Sequence, residues 1–523
     1  MPAPAKLPRQ RGGRQGSAAA RLRFVILGTL AFFGLASCAV GPDYHPPEPP
    51  MPESFVAAAS RTNIRQAAVA AKWWRTLHDR ELDSLIDRAI AASPTLEIAL
   101  NRLQQARAQE AVVIGAALPA AEASEGGALG TGSDLARGRV SQPLVSAENG
   151  AGFTRVTNIV GFDAGWEIDI FGKFRRAIEV AHYDVDAAIA ARNMVLISLV
   201  ADVTRAYLDL RALQMQLAVL RKNIEVAKKY VDFVHERYNR GITNELDVTL
   251  AQRELAQLQA QVAPLSAQID AARYVIAVLI GEFPENLGRE LARPGYLPTL
   301  PSRIRSGLPI DLLRRRPDIV EAERQLAVAT ALIGVATADL FPHVVLIGSA
   351  GWQQGVGATA AAINPIWSIG PGAALPLLDF GRLDAIVEKA DFRSRELLFN
   401  YKQTVLNAVR EVDTAVDAYA AQQNRLRHLA DALTAARRAV TLATERFDRG
   451  LTDSLNVIDA QRQEYEIEQQ YVAAQESAAA QLVTLFKSLG SGWEDYQVFP
   501  PIPPPLPAIA AAFKALFVPN AAP

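Results

Sequence analysis

Cysteine occurs once in 523 residues, at position 38, so no disulfide framework holds this fold and no thiolate-rich metal site can be assembled from it. Histidine is scarce as well. The six copies, His45, His78, His182, His235, His343 and His428, show no ligand spacing, and no metal or cofactor is expected. No nucleotide-binding motif is present. Asp379-Phe380-Gly381 spells one kinase signature, but neither a glycine-rich phosphate loop nor an HRD-type loop accompanies it. Catalysis is therefore not expected, and any energy must come from a partner. Acidic residues are missing from residues 1–37, which carry six basic side chains (Lys6, Arg9, Arg11, Arg14, Arg21 and Arg23). Removing those six from the 54 basic residues leaves 48 against 55 acids, a balance that argues against nucleic-acid binding. Proline is absent from Lys173 to Tyr238 and from Arg382 to Phe447. Each of these Ala-, Leu- and Gln-rich stretches can run as one helix of roughly 100 Å.

One stretch is present twice. Arg237 to Glu254 reads RYNRGITNELDVTLAQRE, and 209 positions later Arg446 to Gln463 reads RFDRGLTDSLNVIDAQRQ, identical at 9 of 18 positions. A long helical pattern precedes and follows each copy, broken only by Gly241 or Gly450 and a few polar residues, which is the signature of a hairpin tip between antiparallel helices. Earlier in each half, Pro94 to Pro119 matches Pro317 to Pro342 at an offset of 223, and Ile319, Ala322, Leu326, Ala329, Ile333, Ala336 and Leu340 form a 3-4 apolar seam. The chain is thus a tandem duplication, with a first repeat over 73–295 and a second over 296–495. In the second repeat, 317–341 reads as a helix.

Between helices the period changes. In Phe162 to Phe171 the even positions Phe162, Ala164, Trp166, Ile168 and Ile170 are apolar, while Gly161, Asp163, Gly165, Glu167 and Asp169 are small or acidic. Such alternation fits a membrane β-barrel strand, lipid outside and water inside; an edge strand of a soluble sheet is the alternative. Two strands joined by a glycine-rich loop are expected in 120–171 and two more in 343–378, within His343 to Trp352 and Trp367 to Leu378. Four strands cannot close a barrel, and an open edge in lipid leaves costly unpaired backbone groups. Two chains would supply eight strands and three would supply twelve; only the wider barrel leaves a water-filled lumen, so a homotrimer is expected.

The basic start is followed by the apolar run Phe24 to Leu35, the two parts of an export signal over 1–37. Leu35-Ala36-Ser37-Cys38 resembles the lipobox of bacterial lipoproteins. The resemblance implies lipid attachment at Cys38, and Ala39 in place of Asp implies sorting to the outer membrane. Residues 38–72, proline-rich from Pro42 to Pro52, read as a lipidated tether. Residues 496–523 form a Pro/Ala-rich tail.

Taken together, LASC at 35–38, WEIDIFGKFRRA at 166–177, LLRRRPDI at 312–319, LLDFGRLDA at 377–385, both tip motifs and KSLGSGWE at 487–494 make the chain similar to the TolC/NodT-type outer-membrane factors, in the lipoprotein branch that serves tripartite efflux systems. That resemblance implies a mainly α protein with a membrane β part. As a trimer it would form a 12-stranded β-barrel and a 12-helix α-barrel, lipid-anchored in the outer membrane and extending into the periplasm. A periplasmic adaptor and an inner-membrane pump of the RND type would dock at the tips, and drugs or other small molecules would leave through the bore. It places a periplasmic gate at Leu455 and Asp459 on the second tip and Asp247 on the first, where a ring of like charges can hold cations. Some family members carry an acid where Asn456 stands, so a double acidic ring is not expected here. The exposed hairpin ends, with Arg237, Gly241, Thr243, Arg446, Gly450 and Thr452, are the candidates for adaptor contact. The runner-up function is a structural or adhesive coiled-coil lipoprotein without channel activity.

Overall fold

The computed structural model describes residues 39–56, 64–65, 70–131, 154–288, 290–301, 304–305, 309–356 and 363–496. The export signal, Cys38, the loops 132–153 and 357–362, and the tail from 497 lie outside the described residues.

The first repeat runs α1 (Arg80–Ala92), α2 (Pro94–Ala116), β1 (Ala120–Thr131), β2 (Thr154–Ile168), α3 (Lys173–Asn239), α4 (Glu245–Ala260) and α5 (Val262–Leu279). The second runs α6 (Pro317–Ala338), β3 (His343–Val356), β4 (Ile363–Ala374), α7 (Arg382–Asp448) and α8 (Ser454–Ser488). Proline opens α2 and α6, where its missing N–H costs nothing. The two long helices are each 67 residues, and each starts on a glycine at φ 82°, Gly172 and Gly381, a left-handed conformation that lets the chain leave a strand and enter a helix within a few residues. Of the expected α6 seam, Ile319, Ala322, Leu326, Ala329 and Ala336 are buried, while Ile333 and Leu340 are partly covered.

The four long strands form one antiparallel sheet in the order β1-β2-β3-β4. β2 pairs with β3 from Val156↔Val356 to Ile168↔Val344, which joins the two repeats. Register sorts the faces. Val160, Phe162, Trp352, Trp367 and Ile369 share one face and are at least half exposed, an apolar surface with no protein cover. On the other face Asp163 lies opposite Glu122 and Ser349, and Ser349 lies opposite Ser368. Ser124 donates to Asp163 Oδ2 at 2.6 Å. Among the described residues, the outer sides of β1 and β4 carry no strand partner. β4 contains Pro365 and Pro371, residues tolerated in a strand at the edge of a sheet.

Three expectations need correction. The alternating segment stops being strand at Ile168, because Asp169 turns to accept the Arg175 backbone N–H (2.9 Å) and side-chain Nε (3.3 Å); it is a turn anchor, not a lumen acid. β4 spans 363–374 and not 367–378, and Leu375, Leu377 and Leu378 follow it as exposed coil around Pro376, which has no N–H to extend the ladder. The returning helix of the first repeat breaks at Gln261, since Pro264 has no N–H to offer the Ala260 carbonyl.

Residues 39–56 are a packed strap, not a free tether. The Val40 N–H donates to the Phe171 carbonyl at 3.0 Å, where strand gives way to α3. Arg176, its side chain 6% exposed, donates to the carbonyls of Val40 (3.2 Å) and Gly41 (3.3 Å) and to Asp43 (2.7 Å) and Glu179 (2.8 Å). A Cβ on Gly41 would overlap the Cα of Gly334 in α6. Tyr44 donates to Glu323 Oε1 at 3.1 Å and meets Tyr183 edge-on. Phe55 ends the strap fully buried in the main core. The strap therefore lies along the seam between α3 and α6.

Nearest the sheet the helices pack as α2-α3-α6-α7, and further along α3 contacts α4, α5 and α8. The main core gathers Trp73, Trp74, Leu82, Leu85, Tyr207, Leu210, Leu482 and Phe486, with Trp73 stacked on Phe486 at 4.9 Å. Arg316 of LLRRRPDI is buried there and donates to Asp318 (2.6 Å), Glu411 (2.9 Å) and the Ser488 carbonyl (3.0 Å). Burial alone pulls its pKa down, but the two carboxylates outweigh it and the net shift is upward. Trp493 of KSLGSGWE donates to the Arg315 carbonyl at 3.0 Å. Two motifs 175 residues apart in sequence, at 312 and 487, thus hold each other.

Candidate functional site: the paired hairpin tips

Each tip is a Schellman turn. Gly241 (φ 68°) donates to the Tyr238 carbonyl and Ile242 to that of Arg237, both at 2.9 Å; Gly450 (φ 70°) and Leu451 repeat the pair with Phe447 and Arg446 at 2.9 Å. No atom lies near a Cβ added at either glycine. Backbone conformation, not crowding, demands glycine here.

The two tips of one chain are tied together. Asp247 accepts from Ser454 Oγ at 2.6 Å and from Thr243 Oγ1, and its own N–H donates to Asn244 Oδ1 at 3.1 Å. Tyr230 donates to the Ser454 carbonyl at 3.1 Å. The Arg237 guanidinium sits 4.6 Å from the ring of Phe447, and Phe233 meets the same ring edge-on at 5.9 Å. Desolvation pushes the Asp247 carboxyl up, but the Ser454, Thr243 and backbone hydrogen bonds, with the Arg237 charge, prevail and hold it below the usual carboxylate range.

This geometry separates the residues singled out from sequence. Leu455 is 57% exposed and, with Asn456 and Asp459, occupies the open side of the first turns of α8, whereas Ser454, Val457 and Ile458 face inward. Asp247 is half-buried, with one oxygen taking the Ser454 hydroxyl from the second tip and the other the Thr243 hydroxyl of its own tip, while Leu455 and Asp459 stay exposed. Arg237 is half-buried, with its guanidinium over the Phe447 ring. Gly241, Arg446 and Gly450 are exposed, and Thr243 and Thr452 are half-covered. Exposed apolar side chains crown both tips: Ile242 and Leu246 on the first, Leu451 and Leu455 on the second.

Sequence reasoning missed Tyr230, Phe447 and Ser454. A signal existed in the broken repeat: Ser454 stands where the first copy has Glu245, and Asp247 where the second has Asn456. Positions at which duplicated copies diverge are where a chain contacts itself asymmetrically. Among the described residues no cluster of His, Cys, Asp and Glu is suited to a metal ion.

Residues 85–282 and 308–491 match the family described as outer membrane efflux protein. The chain is 30% identical over 469 residues to nodulation protein T of Rhizobium leguminosarum bv. viciae, covering 89% of this chain and 93% of that one. It is 30% identical over 432 residues to the pyoverdine export outer membrane protein OpmQ of Pseudomonas aeruginosa, covering 81% and 88%. The solved outer-membrane channel OprN superposes with a TM-score of 0.79 at 33% identity, covering 87% of this chain and all of that one. With tandem repeats, a strand sheet bearing an uncovered apolar face, and helical rods ending in exposed tips, the chain belongs to the outer membrane efflux protein family and serves in the outer membrane as the exit channel of an efflux pump.

Proposed function

We propose that three copies close into one conduit, with the tips as its periplasmic mouth. The observation that carries this is the matched incompleteness of sheet and helix layer. The sheet ends in bare β1 and β4 edges, and the helix row ends at α2 and α7. α7 leaves Ile386, Phe392, Phe399 and Leu406 exposed, at nearly heptad spacing. Their counterparts in the first repeat, Ala177, Tyr183, Ala190 and Ile197, belong to α3, which α6 covers. By the same repeat, α7 of one chain receives α2 of the next, and β4 receives β1. This contact is head-to-tail and closes as a ring. Each chain adds four strands, so three give a barrel of about twelve with an open lumen.

At the mouth, Leu455 and Asp459 from three chains line the bore, one as an apolar constriction and the other as a charged ring. Asp247 holds the second tip against the first. The exposed apolar crown, with Gly241, Gly450, Thr243, Arg446 and Thr452 around it, receives a periplasmic adaptor, and an inner-membrane pump of the RND type supplies the energy. Cys38 carries the lipid. Ala39, the next residue in sequence, rests on Gly172, so an acyl anchor on Cys38 joins the chain at the strand-to-helix boundary. A coiled-coil stalk without a bore has no use for a two-faced sheet, which favours the conduit over that reading. Purified protein in a planar bilayer tests the proposal: trimer-sized particles passing current support it, and Leu455→Ala with Asp459→Ala raises the closed-state current. Monomers that pass none refute it.

A further inference from the structure

We infer that the cleft where α3, the start of α6 and Trp493 meet is a binding site for a carboxylate-bearing saccharide. The cavity, about 290 Å³, is lined by Asp186, Asn193, Arg314, Arg324 and Trp493 over a floor that includes Val320. Of the three consecutive arginines in LLRRRPDI, Arg315 pairs with Glu494 at 3.0 Å and Arg316 with Asp318 and Glu411. Arg314 has no carboxylate partner among the described residues and is exposed at the cleft. Asn193 is 4% exposed and gives its Oδ1 to Arg192 at 3.0 Å, which leaves its amide N–H groups to the cavity. Arg324 and Asp186 face each other at 3.6 Å, looser than a closed ion pair, so a donor and an acceptor remain for hydroxyl groups. Trp493 is fixed, because its indole N–H is shared by the carbonyls of Arg315 (3.0 Å) and Gly490 (3.1 Å).

An immobilised aromatic ring, one acceptor and three convergent donors with a net positive charge suit a sugar ring that carries a carboxylate. An inorganic anion would have no use for the indole, and a lipid would have no use for the polar rim. The cleft also lies beside the strap. Arg324 covers the Tyr183 ring at 5.9 Å, and Tyr183 packs on Tyr44 of the strap, which leads to the N-terminus. Residues 186–193 of α3 lie 13–20 positions beyond Lys173, roughly 20–30 Å from the strand-to-helix boundary along the helix. If the body is periplasmic, as the conduit reading has it, the ligand is a periplasmic saccharide with a free carboxylate, a uronic acid or a muramic acid without its peptide.

The test is calorimetric titration of the intact detergent-solubilised protein with N-acetylmuramic acid and with N-acetylglucosamine, which lacks the carboxylate. Binding of the first at least tenfold tighter than the second is expected, with Arg314→Ala erasing the difference and Arg314→Lys restoring part of it. Glucuronic acid serves as a second carboxylated sugar, and its binding in the same range keeps the class. Equal affinity for both amino sugars, no heat from either, or an unchanged preference in Arg314→Ala protein with wild-type elution overturns the site. Bilayer current is recorded on the same preparations, so loss of the saccharide site is distinguishable from failure of the conduit reading.

Discussion

Asp247→Ala removes the acceptor that joins the two tips of each chain. The lost contacts are hydrogen bonds to an ionised carboxylate, from Ser454 at 2.6 Å and from Thr243, for which about 1.5–3 kcal/mol is usual. Asp247 is only partly buried, so screening places the tie near the lower bound, about 1.5 kcal/mol per protomer. Three protomers opening together would lose about 5 kcal/mol, roughly a thousandfold in the closed-to-open ratio at 1.4 kcal/mol per decade. Single-channel recording of the variant should show long open bursts where the parent channel stays shut, and Ser454→Ala should follow it at smaller amplitude. The pH dependence has a fixed sign. The folded pKa of Asp247 is depressed, so its contribution is present above the unfolded carboxyl value of about 3.9 and is lost as pH falls through the lower folded value. Closed-state current should therefore be flat from pH 8 to 5 and rise only below about 4. Asp247→Ala channels with parental closing, or a rise already complete at pH 6, would refute the tie.

Other outcomes follow from the same structure. Arg316→Ala leaves Asp318 and Glu411 facing each other without their cation, a loss of about 3 kcal/mol or more, read as a lower midpoint of thermal unfolding in detergent. Phe399→Lys puts a charge on the uncovered face of α7, and cross-linking should trap monomers in place of trimers. Gly334→Leu drives a side chain into Arg176, which holds Val40, Gly41 and Asp43, and should expose Tyr44 to chymotrypsin while bilayer current persists. Cys38→Ala should remove the acyl mass from the mature protein by intact-mass spectrometry, with export unchanged.

The long helices, tips and strand pairs were legible because duplication tests every periodicity twice: Lys173 and Arg382, or Asn239 and Asp448, fall at one offset. What was illegible depends on contacts between segments distant in sequence. Pro42 to Pro52 has the composition of a loose linker, yet the strap is held by Arg176 and Gly334, residues whose counterparts in the other repeat are Ala385 and Ala111. Asp169 fits the alternation and still leaves the strand, because a nearby backbone N–H competes for its carboxylate. Asp247 lies in the gate motif, but its neighbour Ser454 sits 207 residues away and is Glu245 in the other copy.

Pro365 and Pro371 both lie in the strand at the open end of the sheet. If the chain assembles as proposed, a copy without its companions leaves that border uncovered, a template on which strands of any protein could stack into endless ribbons. Proline in that strand makes it a poor template for casual visitors, while a sister chain in the proposed ring is held in place by its helices as well.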